Sequence, residues 1–173
     1  MRQSVLLAIP NGEIYKALNR LLANNIFKGK ADVTDDQGKN LLEEGTVDDI
    51  INLFNSALNS VSYDNYPIVS ESSVQNMLKL YLLGAHQEVL SEVHEAKGRA
   101  DLVVNTDNRR IVFEFKYAKN EAEAKSKLSE AVEQIKTRDY GNILPKKNEL
   151  IRIAAVFNAD PKVRAFTENQ IVP

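Results

Sequence analysis

The 173-residue chain contains no cysteine, and that absence removes a disulfide framework, a thiolate zinc site and a cysteine nucleophile together. It has two histidines, His86 and His94, too few for a multi-histidine metal site. Neither sign of charge dominates. Against 22 Lys plus Arg stand 24 Asp plus Glu, a formal net charge of −2. That balance argues against a basic module gripping nucleic acid by phosphate neutralisation alone. No apolar run approaches the roughly 18 residues of a membrane span. The run Val5–Ile9 is too short for a secretory signal, so a cytoplasmic location is the default expectation. Gly-rich phosphate loops, internal repeats and low-complexity tracts are missing too. What remains is 43% hydrophobic and 27% charged, an ordinary globular chain long enough to bury a core.

Hydrophobic periodicity then divides the chain. Ile14, Ala17, Leu18, Leu21 and Leu22 recur at helical spacing and predict an amphipathic helix over Gly12–Asn25. Lys28–Asn40, rich in Gly, Lys and Asp, reads as a connection or short irregular element. Thr46 with Asp49 resembles a capping box that opens a helix with the stripe Val47, Ile50, Ile51, Phe54, Leu58 and Val61. Ser62–Val69 reads as a loop, Ser70 as the N-cap of a helix over Glu71–Leu83, and Gly84 as its stop. From Gln87 the pattern changes: Val89–His94, Ala100–Asn105 and Arg110–Tyr117 read as strands. Turn chemistry at Thr106–Arg109 joins the last two as a hairpin. A helix over Glu121–Asp139 carries Ala124, Leu128, Ala131, Val132 and Ile135 on one face and is ended by Gly141 and Pro145. A strand over Leu150–Phe157 and a turn at Asn158–Pro161 precede a weakly patterned tail.

The chemistry concentrates in Gly98-Arg99-Ala100-Asp101 and Glu114-Phe115-Lys116. Strand alternation projects Glu114 and Lys116 together, away from Phe113, Phe115 and Tyr117, with Asp101 on the partnering strand. One reading is the solvated face of an edge hairpin, with an ion pair worth at most about 1 kcal/mol. The other is a Mg²⁺ site, with two carboxylates holding the ion and the lysine orienting a water or offsetting charge on phosphorus. Glu71 falls beside the core-facing stripe of its helix, either satisfied by the helix N-terminus or aimed at a metal. Lys127, Gln134 and Arg138 form a row on the long helix, either a surface stripe or donors turned toward the carboxylates or a phosphate. His86 and His94 read as loop and strand-surface residues rather than bases.

Taken in order, these residues resemble the PD-(D/E)XK nuclease superfamily, and more narrowly a bacterial branch found C-terminal to AAA-ATPase-like domains. The resemblance is carried by Glu71, Glu92, Gly98–Val104, Val112–Lys116, Ala131–Ile135 and Tyr140, with further similarity at Asn11–Ile14 and Ser62–Asn65. Ala100 stands where the signature has proline. The resemblance implies an α/β fold with a restriction-endonuclease-like core (α-β-β-β-α-β, a mixed central sheet flanked by helices) over residues 63–173. Residues 1–62 would be a helical segment, the tail of or linker to an ATPase-like region. It implies hydrolysis of DNA with Mg²⁺ or Mn²⁺, with Asp101, Glu114 and Glu71 at the metal, Lys116 as catalytic lysine and Gln134 in support. Arg99, Lys127, Arg138 and Tyr140 would contact substrate. Metal then neutralises acids that would otherwise repel phosphate. The alternative is a non-catalytic nuclease-fold module regulating a partner ATPase. The sequence also leaves open RNA in place of DNA, and pairing into a homodimer through the helical leader.

Overall fold

The computed structural model describes residues 12–28, 34–85, 87–95, 98–140 and 149–173, without the side chains of 34–36, 91–95, 98 and 99. Four helices come first: α1 (Gly12–Ile26), α2 (Thr34–Glu44), α3 (Val47–Leu58) and α4 (Glu71–Gly84). Strands β1 (Glu88–Glu95), β2 (Gly98–Asn105) and β3 (Arg109–Ala118) lead into α5 (Glu121–Arg138). Then come β4 (Glu149–Asn158) and β5 (Ala165–Ile171). The local signals behave as their chemistry requires. Thr46 and Asp49 exchange the two bonds of a capping box, and the Ser70 hydroxyl accepts the Ser73 N–H at 3.2 Å.

The five strands lie in the order β1-β2-β3-β4-β5. β1, β2 and β3 form an antiparallel meander, β3 and β4 run parallel, and β5 returns antiparallel on β4. Parallel neighbours need a crossover, and α5 supplies it. This is the expected α/β architecture: a mixed, open sheet flanked by helices, consistent with a restriction-endonuclease-like fold. Leu102, Val104, Ile111, Phe113, Phe115, Ile153 and Phe157 line one face and share a core with α3 and α4. Phe54 of α3 lies 5.3 Å from Phe113 and 6.5 Å from Phe166, ring centre to ring centre. Val103, Val112 and Ala154 line the other face against Ala131 and Ile135 of α5 and Tyr140. Because β3 is covered on both sides, Ile111 to Lys116 are all buried. Among the described residues no helix is long and apolar enough to cross a membrane.

Three features differ from the sequence expectations. The segment expected to be a connection contains α2, where fully buried Leu42 anchors a helix of mostly polar residues. Tertiary packing, not propensity, sustains it. The weakly patterned tail contains β5. Its Thr167-Glu168-Asn169-Gln170 run hides the alternation, and Phe166 alone reaches the core. Gly84 is the last residue of α4, as expected, and a Cβ there would stand 2.2 Å from the Ala23 Cβ of α1. The glycine permits close helix approach. That contact also sets the rotation of α1, which packs through Asn19 and Ala23 and leaves Ile14, Leu18, Leu21 and Leu22 exposed. Gly141 and Pro145 lie outside the described residues; among those described, α5 ends with Asp139 as its C-cap, in the left-handed region at φ 50°.

Candidate active site

Glu114 and Lys116 project from the α5 side of β3, since Phe113 and Phe115 take the opposite face. A central strand with helices on both sides forces them out of water: Glu114 is 0% and Lys116 5% exposed. They are not the solvated rim of a hairpin. Two charged groups at this depth are tolerated because they satisfy each other. The Lys116 ammonium donates to Glu114 Oε1 at 2.7 Å and to the Phe115 carbonyl at 3.1 Å, and lies 3.5 Å from Glu71 Oε1.

Asp101 reaches the same place through a break in the sheet. The β2–β3 ladder pairs Asn105 with Arg110 and runs to Leu102 with Phe113, where, among the described residues, it stops. One position on, Asp101 Oδ2 accepts the Phe115 N–H at 2.9 Å. A carboxylate thus replaces a strand partner. Splitting the strands also frees the Asp101 carbonyl, and the Gln75 side-chain amide of α4 donates to it. Gln75 sits one helical turn after Glu71 on the same face, so both address the site. That i, i+4 spacing was visible in the sequence, but its significance was not, because the ladder break is a tertiary event.

Electrostatics ties these groups together. Burial pushes the Glu114 carboxyl up to about 7 and the Asp101 charge adds to it, while Lys116 opposes both. Glu71 is likewise raised, first by burial, against the pull of Lys116 and with the push of Asp101. Burial draws the Lys116 ammonium down, but the Glu114 hydrogen bond and the charges of Glu114, Glu71 and Asp101 outweigh it and leave it raised. Glu130 of α5, not singled out from the sequence, borders the site. It feels the Lys116 charge and is held below its ordinary value by its 2.7 Å bond from Lys127.

The other predicted residues gather one step away. Tyr140 is fully buried, and its hydroxyl accepts from Arg138 at 2.7 Å and from Gln134 at 3.4 Å. Its ring is therefore packed in the core rather than presented to a ligand. Arg152 of β4 fixes this corner, donating to the Tyr140 carbonyl and pairing with Asp139 at 2.7 Å. The Tyr140 hydrogen bond raises the Arg138 guanidinium, which also senses Glu114 and Asp101. Lys127 is engaged with Glu130. Arg99 lies in β2, and its side chain is outside the described residues.

The donor set suits a hard cation. Glu114 Oε2 is buried and has no hydrogen-bond partner among the described residues, beside a second carboxylate. Mg²⁺ commonly takes one or two carboxylates and keeps several waters. Among the described residues no three acidic or histidine side chains come together closely enough to enclose an ion. The fit thus rests on the Asp101–Glu114 pair, with the Lys116 ammonium lying between Glu114 and Glu71.

A sequence model of the PD-(D/E)XK nuclease superfamily matches residues 69–167, more than half of the chain. No curated protein matches it. The matched stretch runs from the residue before the Ser70 cap into β5 and contains Glu71, Asp101, Glu114, Lys116 and Gln134. The chain belongs to the PD-(D/E)XK nuclease superfamily.

Proposed function

We propose that this chain hydrolyses phosphodiester bonds in DNA with Mg²⁺ or Mn²⁺ at the Asp101–Glu114 pair. The observation that carries the reading is a buried Glu114–Lys116 pair whose second carboxylate oxygen has no partner among the described residues, in a strand otherwise built of core residues. A group left this way costs about 1–3 kcal/mol, and a bound cation would offset that cost. Asp101 and Glu114 would hold the ion, with Glu71 as an auxiliary acid at the rim. The ion would supply Lewis acidity at a phosphoryl oxygen.

Lys116 does the remaining electrostatic work. Once its ammonium turns from Glu114 toward substrate, it orients the attacking water and stabilises charge building on the phosphoryl oxygens. Gln134 and Arg138 support the site through Tyr140, and Arg138 lends positive potential toward the incoming phosphate. Cleavage of plasmid and oligonucleotide DNA with Mg²⁺, by wild type, Asp101→Ala and Lys116→Ala, tests the reading. Equal activity in all three would mark a contaminant and end it.

A second reading, a non-catalytic module for a partner ATPase, is favoured by one feature. Lys116 is itself a cation and already contacts Glu114 and Glu71. Calorimetry with Mn²⁺ separates the two, because a module needs no ion at Asp101 and Glu114.

A further inference from the structure

A second concavity lies at the C-terminal end of β3 and β4, on the opposite face of the sheet from Glu114 and Lys116. It is a cavity of about 250 Å³ walled by Tyr63, Tyr117, Phe157 and Arg164, with Asp64 and Val69 also lining it. Its walls are joined to the active site by the chain itself. Tyr117 follows Lys116, and Val69 stands two residues before Glu71, so each wall begins within about 8 Å of a site residue along the backbone. Glu71, two residues beyond the lining residue Val69, reaches the Lys116 ammonium at 3.5 Å.

The chemistry of the cavity is specific. Aromatic rings make two of its sides: Tyr63 on one, and on the other Tyr117, backed at 6.3 Å and 27° by the fully buried Phe157. The Arg164 guanidinium lies 4.2 Å above the Tyr63 ring and makes no ion pair among the described residues. A cation held on an aromatic face without a counter-ion is a ready partner for an anion. The Tyr63 hydroxyl is buried without a hydrogen-bond partner among the described residues, and burial keeps it protonated as a donor by pushing its pKa up. Asp64, exposed beside it, offers the acceptor an exocyclic amine requires. The volume falls below the roughly 300–1,000 Å³ of pockets for drug-sized ligands. The space matches one flat ring.

We infer that this cavity holds the base of an unpaired nucleotide flanking the cleaved bond, with Arg164 on the adjoining phosphate. The inference rests on the nuclease reading and deepens it: the substrate is single-stranded DNA or a frayed end rather than a closed duplex. Base pairing would keep the ring in its stack, whereas an unpaired base reaches an aromatic wall freely.

The test uses the full chain with Ca²⁺ in place of Mg²⁺. It compares binding of a single-stranded oligonucleotide carrying 2-aminopurine with binding of the blunt duplex of the same sequence. Wild type is expected to bind the single strand more tightly and to change the 2-aminopurine emission. Arg164→Asn removes the guanidinium while tolerating the left-handed backbone at φ 46°, and is expected to lose about tenfold in single-strand affinity without weakening duplex binding. Tyr63→Phe keeps the ring and its stacking partner, and is expected to shift single-strand affinity in the same direction by less. Equal affinity for strand and duplex, or an unchanged preference in both variants, overturns the inference. Cleavage by Lys116→Ala is followed in parallel. If that variant is inactive while the pocket variants keep the preference, the pocket inference fails alone. If it is as active as wild type, the nuclease reading fails first.

Discussion

Lys116 is held 2.7 Å from Glu114 Oε1, on the same carboxylate whose other oxygen, Oε2, would meet the ion. At the residue scale, ammonium and metal therefore divide the negative charge of one carboxylate. Lys116→Met is expected to abolish cleavage, by about 100-fold or more, and yet to bind Mn²⁺ more tightly than wild type by calorimetry. Weaker binding would mean the lysine helps to build the ion site rather than to guard it. Titration gives a second expectation. Glu114 moves from 4.5 to about 7 on folding, and Glu71 is raised as well. The native state therefore holds more protons than the unfolded chain across that window. Their contribution to metal-free stability is present at the acid end and lost as pH rises through about 7. Urea denaturation from about pH 4.5 to 8 should show this fall, and Glu114→Gln should flatten it. A wild-type slope no steeper than that of the variant would contradict the assignment. Ion binding should strengthen over the same window, because the ligand must shed its proton.

At the scale of elements, two contacts that decide the architecture are small. Gly84→Ala would favour α4 by about 1 kcal/mol on propensity, but its Cβ would meet Ala23 at 2.2 Å. Overpacking of about 1–3 kcal/mol wins, and adding Ala23→Gly should restore part of the loss in the denaturation midpoint. Asn55 of α3 accepts the Phe166 N–H at 2.7 Å and donates to the Phe166 carbonyl at 3.2 Å. Asn55→Ala leaves both groups short of a partner and should cost about 1–3 kcal/mol, together with earlier hydrogen exchange in β5. These contacts also explain what the sequence disclosed. The β2–β3 hairpin, α4 with its serine cap and α5 were legible because period and cap chemistry are local. β5 was not, because its edge is polar and its place depends on one asparagine far away in the chain. The α1 stripe was legible as amphipathic, but its orientation was not, since Gly84 and Ala23 turned it outward. In the candidate site, the Glu114–Lys116 alternation could be read directly. The roles of Gln75 and Glu130 could not, because they arise from a broken ladder and from the packing of α5 over it.

At the scale of the whole molecule, the formal charge of −2 bounds affinity rather than function. Glu71, Asp101, Glu114 and Glu130 gather around one ammonium, with Arg138 and Lys127 on the α5 side. Few phosphates can be neutralised by such a surface. DNA binding without metal should therefore be weak and only shallowly dependent on salt. The sheet provides the frame for this chemistry. Its covered central strand carries the buried acid and base, and the end of its parallel pair brings the α4 N-terminus over them. Asp101, Glu114 and Lys116 are proposed to form one metal-dependent hydrolytic site. Its most direct test is the rate of DNA cleavage with Mg²⁺, with chelator, and in Asp101→Ala and Lys116→Ala proteins of unchanged melting behaviour. Cleavage that needs the metal and is lost in both variants is the predicted result. Cleavage that survives either substitution, or chelation, would contradict it.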